Sequence, residues 1–104
     1  MDLRGSLPTL ILHVVSGGPN YGYRIAQEIK LRSSGVLDFR EGTLYPTLHN
    51  LESKGLVEAY TREENGRTRR FYRLTRAGRT TMARERKEWS RYANAVTGIL
   101  AETT

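Results

Sequence analysis

Asn65-Gly66 lies between two strand-like runs, Leu56 to Glu63 and Arg69 to Thr75. Both residues of the pair tolerate positive φ, so the pair predicts a β-hairpin, with a loop longer than two residues if pairing stops at Glu63. The hairpin constrains the rest of the chain because everything around it is patterned for helix. Upstream, Leu3, Leu7, Leu10, Ile11, Val14 and Val15 recur at helical spacing until Gly17, Gly18 and Pro19 stop the run. This first helix either starts near Ser6, as its N-cap with Pro8 in the first turn, or starts earlier and bends at Pro8. A second helix is expected over Tyr21 to Arg32, with Gly22, Ile25, Ala26 and Ile29 on one face. Ser33-Ser34-Gly35 is a loop, and Val36 to Phe39 predicts a short strand.

A third helix is expected to start at Thr43 as N-cap, with Pro46 in its first turn and Lys54-Gly55 closing it. Leu44, Leu48 and Leu51 line one side. At 100° per residue Pro46, His49, Asn50 and Ser53 fall on the other, with Tyr45 flanking. Such a helix packs on one face and offers hydrogen-bonding groups on the opposite one. After the hairpin, Thr75 caps a fourth helix from Arg76 to about Ala101, about 39 Å long at 1.5 Å per residue. Met82, Trp89, Ala93, Val96 and Leu100 form a stripe along it, with Tyr92 and Ile99 beside.

The fold class is therefore α+β, mainly α with a small β-hairpin. Three short helices and a two-stranded hairpin make a winged helix-turn-helix, followed by a long C-terminal dimerisation helix. Residues 1–75 form the DNA-binding unit and 76–104 the helix packed on it. At 104 residues, length bounds the chain to about one domain of modest core.

The formal net charge is +6, which attracts polyanions, either nucleic acid or an anionic membrane surface. No apolar run approaches the ~20 residues of a membrane span, and the start Met1-Asp2-Leu3-Arg4-Gly5 does not predict a signal peptide. The chain has no cysteine, which excludes disulfides and thiolate metal sites and is compatible with the cytoplasm. His13 and His49 have no metal-ligand spacing, no serine has a nucleophile-elbow context, and no glycine loop has phosphate-cradle spacing. Neither enzyme chemistry nor a cofactor is expected.

The expected contacts to double-stranded DNA fall in two groups. Thr43, Tyr45, Pro46, His49 and Asn50 belong to the recognition helix, where asparagine bonds adenine bidentately and hydroxyls reach phosphates or base edges. Two readings of Tyr45 stand, a groove contact and packing under the wing; His49 is a groove contact or an ordinary exposed histidine; Thr43 is a contact or only a cap. Arg67, Arg69, Arg70 and Arg73, beside Arg62 and Arg76, load the hairpin with charge suited to phosphates and to a narrow minor groove, or else protect an edge strand. The stripe Met82, Trp89, Tyr92, Ala93, Val96, Ile99 and Leu100 predicts a homodimer seam, because so small a body cannot cover it. Trp89 is an anchor of that seam or, with Tyr92, a stacking surface for a planar effector.

Three runs stand out: Gly18-Pro19-Asn20-Tyr21-Gly22-Tyr23; Gly42-Thr43-Leu44-Tyr45-Pro46-Thr47-Leu48, continuing to Leu51-Glu52-Ser53-Lys54-Gly55-Leu56-Val57; and Arg69-Arg70-Phe71-Tyr72-Arg73-Leu74-Thr75-Arg76-Ala77-Gly78. Together they resemble the PadR family of regulators: the first is similar to the family's GPLHGYE pattern, the second to its hallmark and the third to its RKYYRLTEAG. The resemblance implies a homodimeric winged-helix repressor, usually relieved by a small molecule, with Tyr45 facing the major groove and the wing arginines on the DNA backbone. The single C-terminal helix resembles the short branch of the family, and Trp89-Ser90-Arg91 matches the context in which a tryptophan lines a central pore for planar aromatic drugs. Tyr21, Phe71 and Arg40-Glu41 depart from the family's histidine, tyrosine and Ser-Pro. A carboxylate at Glu41 favours a helix N-terminus and repels phosphate. The residues leave two rivals open: a winged-helix nucleic-acid binder without a regulatory role, and a protein-interaction module.

Overall fold

The computed structural model describes residues 3–101. Along them run α1 (Leu3–Ser16), β1 (Asn20–Tyr21), α2 (Gly22–Arg32), α3 (Glu41–Ser53), β2 (Val57–Glu64), β3 (Arg67–Leu74) and α4 (Arg76–Leu100). This is four helices and a three-stranded antiparallel sheet of order β1-β3-β2. The α+β winged helix expected from the pattern is present.

α1 is the centre of the body. Leu7, Ile11, Leu12, Val14 and Val15 are all buried, and the helix packs against α2, α3, α4 and β3. A short helix apolar on nearly every side belongs inside, and each fully buried Leu or Ile contributes about 1.5–3 kcal/mol of transfer free energy. α1 starts at Leu3, so Ser6 and Pro8 lie within it; the alternative with Ser6 as N-cap is corrected. Ile25 and Ile29 of α2, Leu44, Leu48 and Leu51 of α3, and Val57 and Tyr72 of the sheet complete the core.

Two further expectations are corrected. Val36 to Phe39 is not a strand: Leu37 and Phe39 pack on the core as loop residues, and the Leu37 amide donates to Ser33 Oγ at 2.9 Å. The third strand is instead Asn20–Tyr21, paired to Tyr72 and Phe71. α3 begins at Glu41 with Arg40 as N-cap, so Thr43 is its third residue and Pro46 its sixth. Pro46 thus lies beyond the first turn and deprives the Gly42 carbonyl of its helical donor. The end of α3 is as expected: Gly55 takes φ +72°, its amide donates to Glu52 O at 2.9 Å, and the Leu56 amide donates to Leu51 O at 3.0 Å. That pair of bonds is a Schellman motif.

The hairpin pairs through Glu64↔Arg67, so its loop has only two residues, Asn65 and Gly66, at φ +53° and +78°. Positive φ at both is the requirement of a type I′ turn. Beyond the sheet, Thr75 caps α4 by accepting from the Gly78 amide at 3.0 Å, while its hydroxyl donates to Gly55 O at 2.6 Å and its amide to Leu56 O at 3.1 Å. Gly78 is buried, and a Cβ there would collide with the Leu56 carbonyl oxygen. The base of the wing, the end of α3 and the start of α4 are therefore one fixed junction.

Candidate nucleic-acid interface

α3 presents its leucines inward and an uncharged polar surface outward. Pro46, His49, Asn50 and Ser53 are exposed, and Thr43 and Tyr45 are half-buried. Tyr45 lies against α2, where a Cβ on Gly22 would come within 2.7–2.8 Å of its ring and hydroxyl. Glycine at position 22 is what lets the two helices meet through this ring. Burial above all, then Glu41 and Tyr72, raises the Tyr45 pKa against the pull of Arg69, so the hydroxyl stays protonated. Thr47 donates through its hydroxyl to the Thr43 carbonyl at 2.9 Å, which tightens the turn around Pro46.

Period-2 alternation sorts the wing into two faces. Val57, Ala59, Tyr72 and Leu74 point to the core side, with Arg70 further out. The other face carries Tyr60, Arg62, Arg69, Phe71 and Arg73, joined by Tyr21 of β1. There Phe71 is buried beneath a layer of rings and guanidinium groups: Tyr21 at 5.4 Å edge-on, Tyr60 at 5.9 Å, and Arg62 at 4.4 Å from its centroid. Arg69 covers Tyr21 at 4.3 Å and Arg73 covers Tyr60 at 4.8 Å. Arg62 and Arg69 are directly paired across the strands, a juxtaposition of like charges that these two separate ring stacks hold in place.

The four expected wing arginines are consequently in different states. Arg70 is bound to Glu52 of α3 at 2.8 Å and Arg73 to Glu58 at 2.9 Å. Arg69 is half-buried on Tyr21, and its Nε is buried without a hydrogen-bond partner. Arg67, next to the turn, is exposed and has no ion-pair partner among the described residues. Glu64 takes both Arg62, at 3.6 Å, and Arg24 of α2, at 3.8 Å, tethering the tip region to the body. Sequence reasoning missed Glu52, Glu58 and Glu64 as partners and Tyr21, Tyr60 and Phe71 as the platform. The alternation Tyr60-x-Arg62 and Arg69-x-Phe71-x-Arg73 is the signal that places them on one face.

On α4, Met82, Ala93 and Val96 are half-buried, whereas Trp89 and Tyr92 are 46% and 42% exposed and Ile99 and Leu100 81% and 74%. The Trp89 and Tyr92 rings stand 6.0 Å apart at 53°. No group of metal-ligating side chains occurs among the described residues, and no helix there is long and apolar enough to cross a membrane.

Comparison with known proteins agrees with this geometry. The family model of the transcriptional regulator PadR-like family matches residues 11–84. The transcriptional regulator Rv3488 of Mycobacterium tuberculosis is 37% identical over 96% of this chain and 91% of its own length. Among solved structures, a protein of Streptococcus mutans is 39% identical with a TM-score of 0.86, covering 96% of this chain and 90% of that one. A PadR family transcriptional regulator of Eggerthella lenta is 28% identical with a TM-score of 0.81, covering 98% and 87%. With the model match spanning α2, α3 and the whole wing, this chain belongs to the PadR-like family of transcriptional regulators.

Proposed function

We propose that the protein is a homodimeric repressor of a palindromic operator, released by a small planar effector at the dimer seam. The observation that carries the reading is the pairing of an exposed, uncharged, hydrogen-bonding face on α3 with an arginine-bearing ribbon beside it. In this reading α3 enters the major groove. Asn50 and His49 read base edges, Pro46 and Thr43 lie along the groove wall, and Tyr45 sets the angle of the helix from its seat on Gly22. Arg67 reaches phosphate or minor groove from the wing tip. Arg69, Arg70 and Arg73 supply field and packing, their guanidinium groups held by Tyr21, Glu52 and Glu58. Charge of this kind grips the backbone without reading sequence.

The body (1–75) binds DNA and the final segment (76–104) dimerises; residues 1–2 and 102–104 of that division lie outside the described residues. Met82, Trp89, Tyr92, Ala93, Val96, Ile99 and Leu100 form the seam, which a two-fold copy covers with the same stripe. Trp89 and Tyr92 are its effector platform, two adjacent rings on an uncovered surface. Site of action is the cytoplasm, where the operator is. Footprinting tests the division of labour. Asn50→Ala changes which duplexes are protected, Arg67→Ala weakens protection on every duplex, and unaltered footprints in both variants contradict the reading. Quenching of Trp89 fluorescence by planar aromatic cations tests the platform, and unchanged ligand-driven release from DNA in Trp89→Ala removes it.

A further inference from the structure

The charge of this chain is not concentrated where the proposed operator surface lies. α3 carries Glu41 and Glu52 and no cation, and the hairpin carries five arginines against Glu58, Glu63 and Glu64, so the two together are neutral. α4 carries Arg76, Arg79, Arg84, Arg86, Lys87 and Arg91 against Glu85 and Glu88, a surplus of +4 in a chain of +6. At 100° per residue these six cations fall on a sector centred opposite the apolar stripe, with both glutamates outside it. All six are exposed, and none is in an ion pair among the described residues, whereas the arginines of the wing and of α2 largely are. Buried Gly78 and half-buried Met82 and Glu85 mark the side of α4 that meets the body, so the cations face away from it, except Arg86, which lies at the edge of the sector within electrostatic reach of His13 on α1. From Arg76 to Arg91 the row is about 22 Å long at 1.5 Å per residue.

We propose that the outer face of α4 is a second, sequence-independent surface for duplex DNA, so that a dimer seated on its operator holds another duplex segment. The proposal rests on the reading of α3 and the wing as the operator surface and of the stripe as the seam. An unpaired band of cations along one straight helix suits a rod that carries one phosphate charge per about 1.7 Å of axis. An anionic membrane is the weaker fit. A basic helix binds bilayers by sinking its apolar face, and here that face is committed to the seam.

The test uses a duplex selected from a random pool, fixed on beads and loaded with full-length protein in 50 mM salt. A labelled 30-base-pair duplex of unrelated sequence is then offered. Wild type captures the second duplex. Arg84→Gln/Lys87→Gln/Arg91→Gln keeps helix propensity at three exposed positions. It should bind the first duplex within threefold of wild type and capture at least tenfold less of the second. The salt slope of the second step should fall by about 2.7, at about 0.9 per lost phosphate contact. Asn50→Ala/Arg67→Ala should lose the preference for the selected duplex over the unrelated one and bind both alike through α4. The proposal is overturned by any of three results. The triple variant bridges as well as wild type, wild type holds the first duplex and captures no second, or phosphatidylserine vesicles displace the second duplex from wild type. Failure of the first step alone in wild type counts against the operator surface instead.

Discussion

Individual side chains in this protein have distinct duties that charge alone does not reveal. Arg70 and Arg73 look equivalent to Arg67 in sequence, yet each is held by a carboxylate at 2.8–2.9 Å. Exposed ion pairs of this kind contribute little stability, so Glu52→Gln should leave the melting temperature nearly unchanged. It should tighten DNA binding, because it frees Arg70 and removes a negative charge; a titration at fixed salt reads the shift, and weaker binding contradicts it. Gly22 is fixed by contact: its Cβ would meet the Tyr45 ring at 2.7 Å. Gly22→Ala should lower unfolding free energy by about 1 kcal/mol or more, and adding Tyr45→Ala should make the pair less than additive in a double-mutant cycle. His13, half-buried on α1, has a pKa lowered by burial, then by Arg86 of α4 and Arg32 of α2. A histidine with a lowered folded pKa binds fewer protons than the unfolded chain below about pH 6.5, so stability is full above that value and falls as pH drops through it. Melting temperatures measured from pH 7.5 to 5.5 should decline, and His13→Gln should flatten the decline.

Elements were legible in the sequence where local chemistry decides them. Asn65-Gly66 needs only positive φ to turn the hairpin, Gly55 likewise to end α3, and Thr75 reaches its own helix's third amide, so all three stand as expected. β1 was not legible, because two residues carry no alternation and Asn20–Tyr21 becomes a strand only when β3 arrives beside it. Val36 to Phe39 had the opposite fate: its alternating apolar residues drop into the core from a loop whose backbone finds no neighbouring strand. The start of α3 was displaced because Thr43 and Pro46 both suit a first turn, while Arg40 in extended conformation already caps the helix three residues earlier than expected. At the site, the polar face of α3 follows from its period, but the carboxylate partners of the arginines depend on strand register and on α3 meeting β3. The junction at Gly78 belongs to this scale too. Gly78→Ala forces α4 off the Leu56 carbonyl and should lower stability by about 2–3 kcal/mol in urea unfolding, and a loss below 0.5 kcal/mol contradicts the junction.

The whole molecule is a compact body with a long arm, 60 Å in its longest extent and 28 × 22 Å across. The arm exposes Trp89, Tyr92, Ile99 and Leu100 on one side and a row of cations on the other. In the proposed reading the first side takes a copy of the chain and the second a polyanion, while the body between them offers the polar face of α3 to a groove. Salt should act strongly on the assembly: with 6–10 phosphates contacted, operator affinity falls by about 10³–10⁵ between 50 and 200 mM. Selection of bound sequences from a random duplex pool tests the operator reading. Two α3 helices related by a dyad should enrich a palindrome whose half-site centres lie about one helical turn apart. An enriched single asymmetric site, or no enrichment over the starting pool, contradicts it.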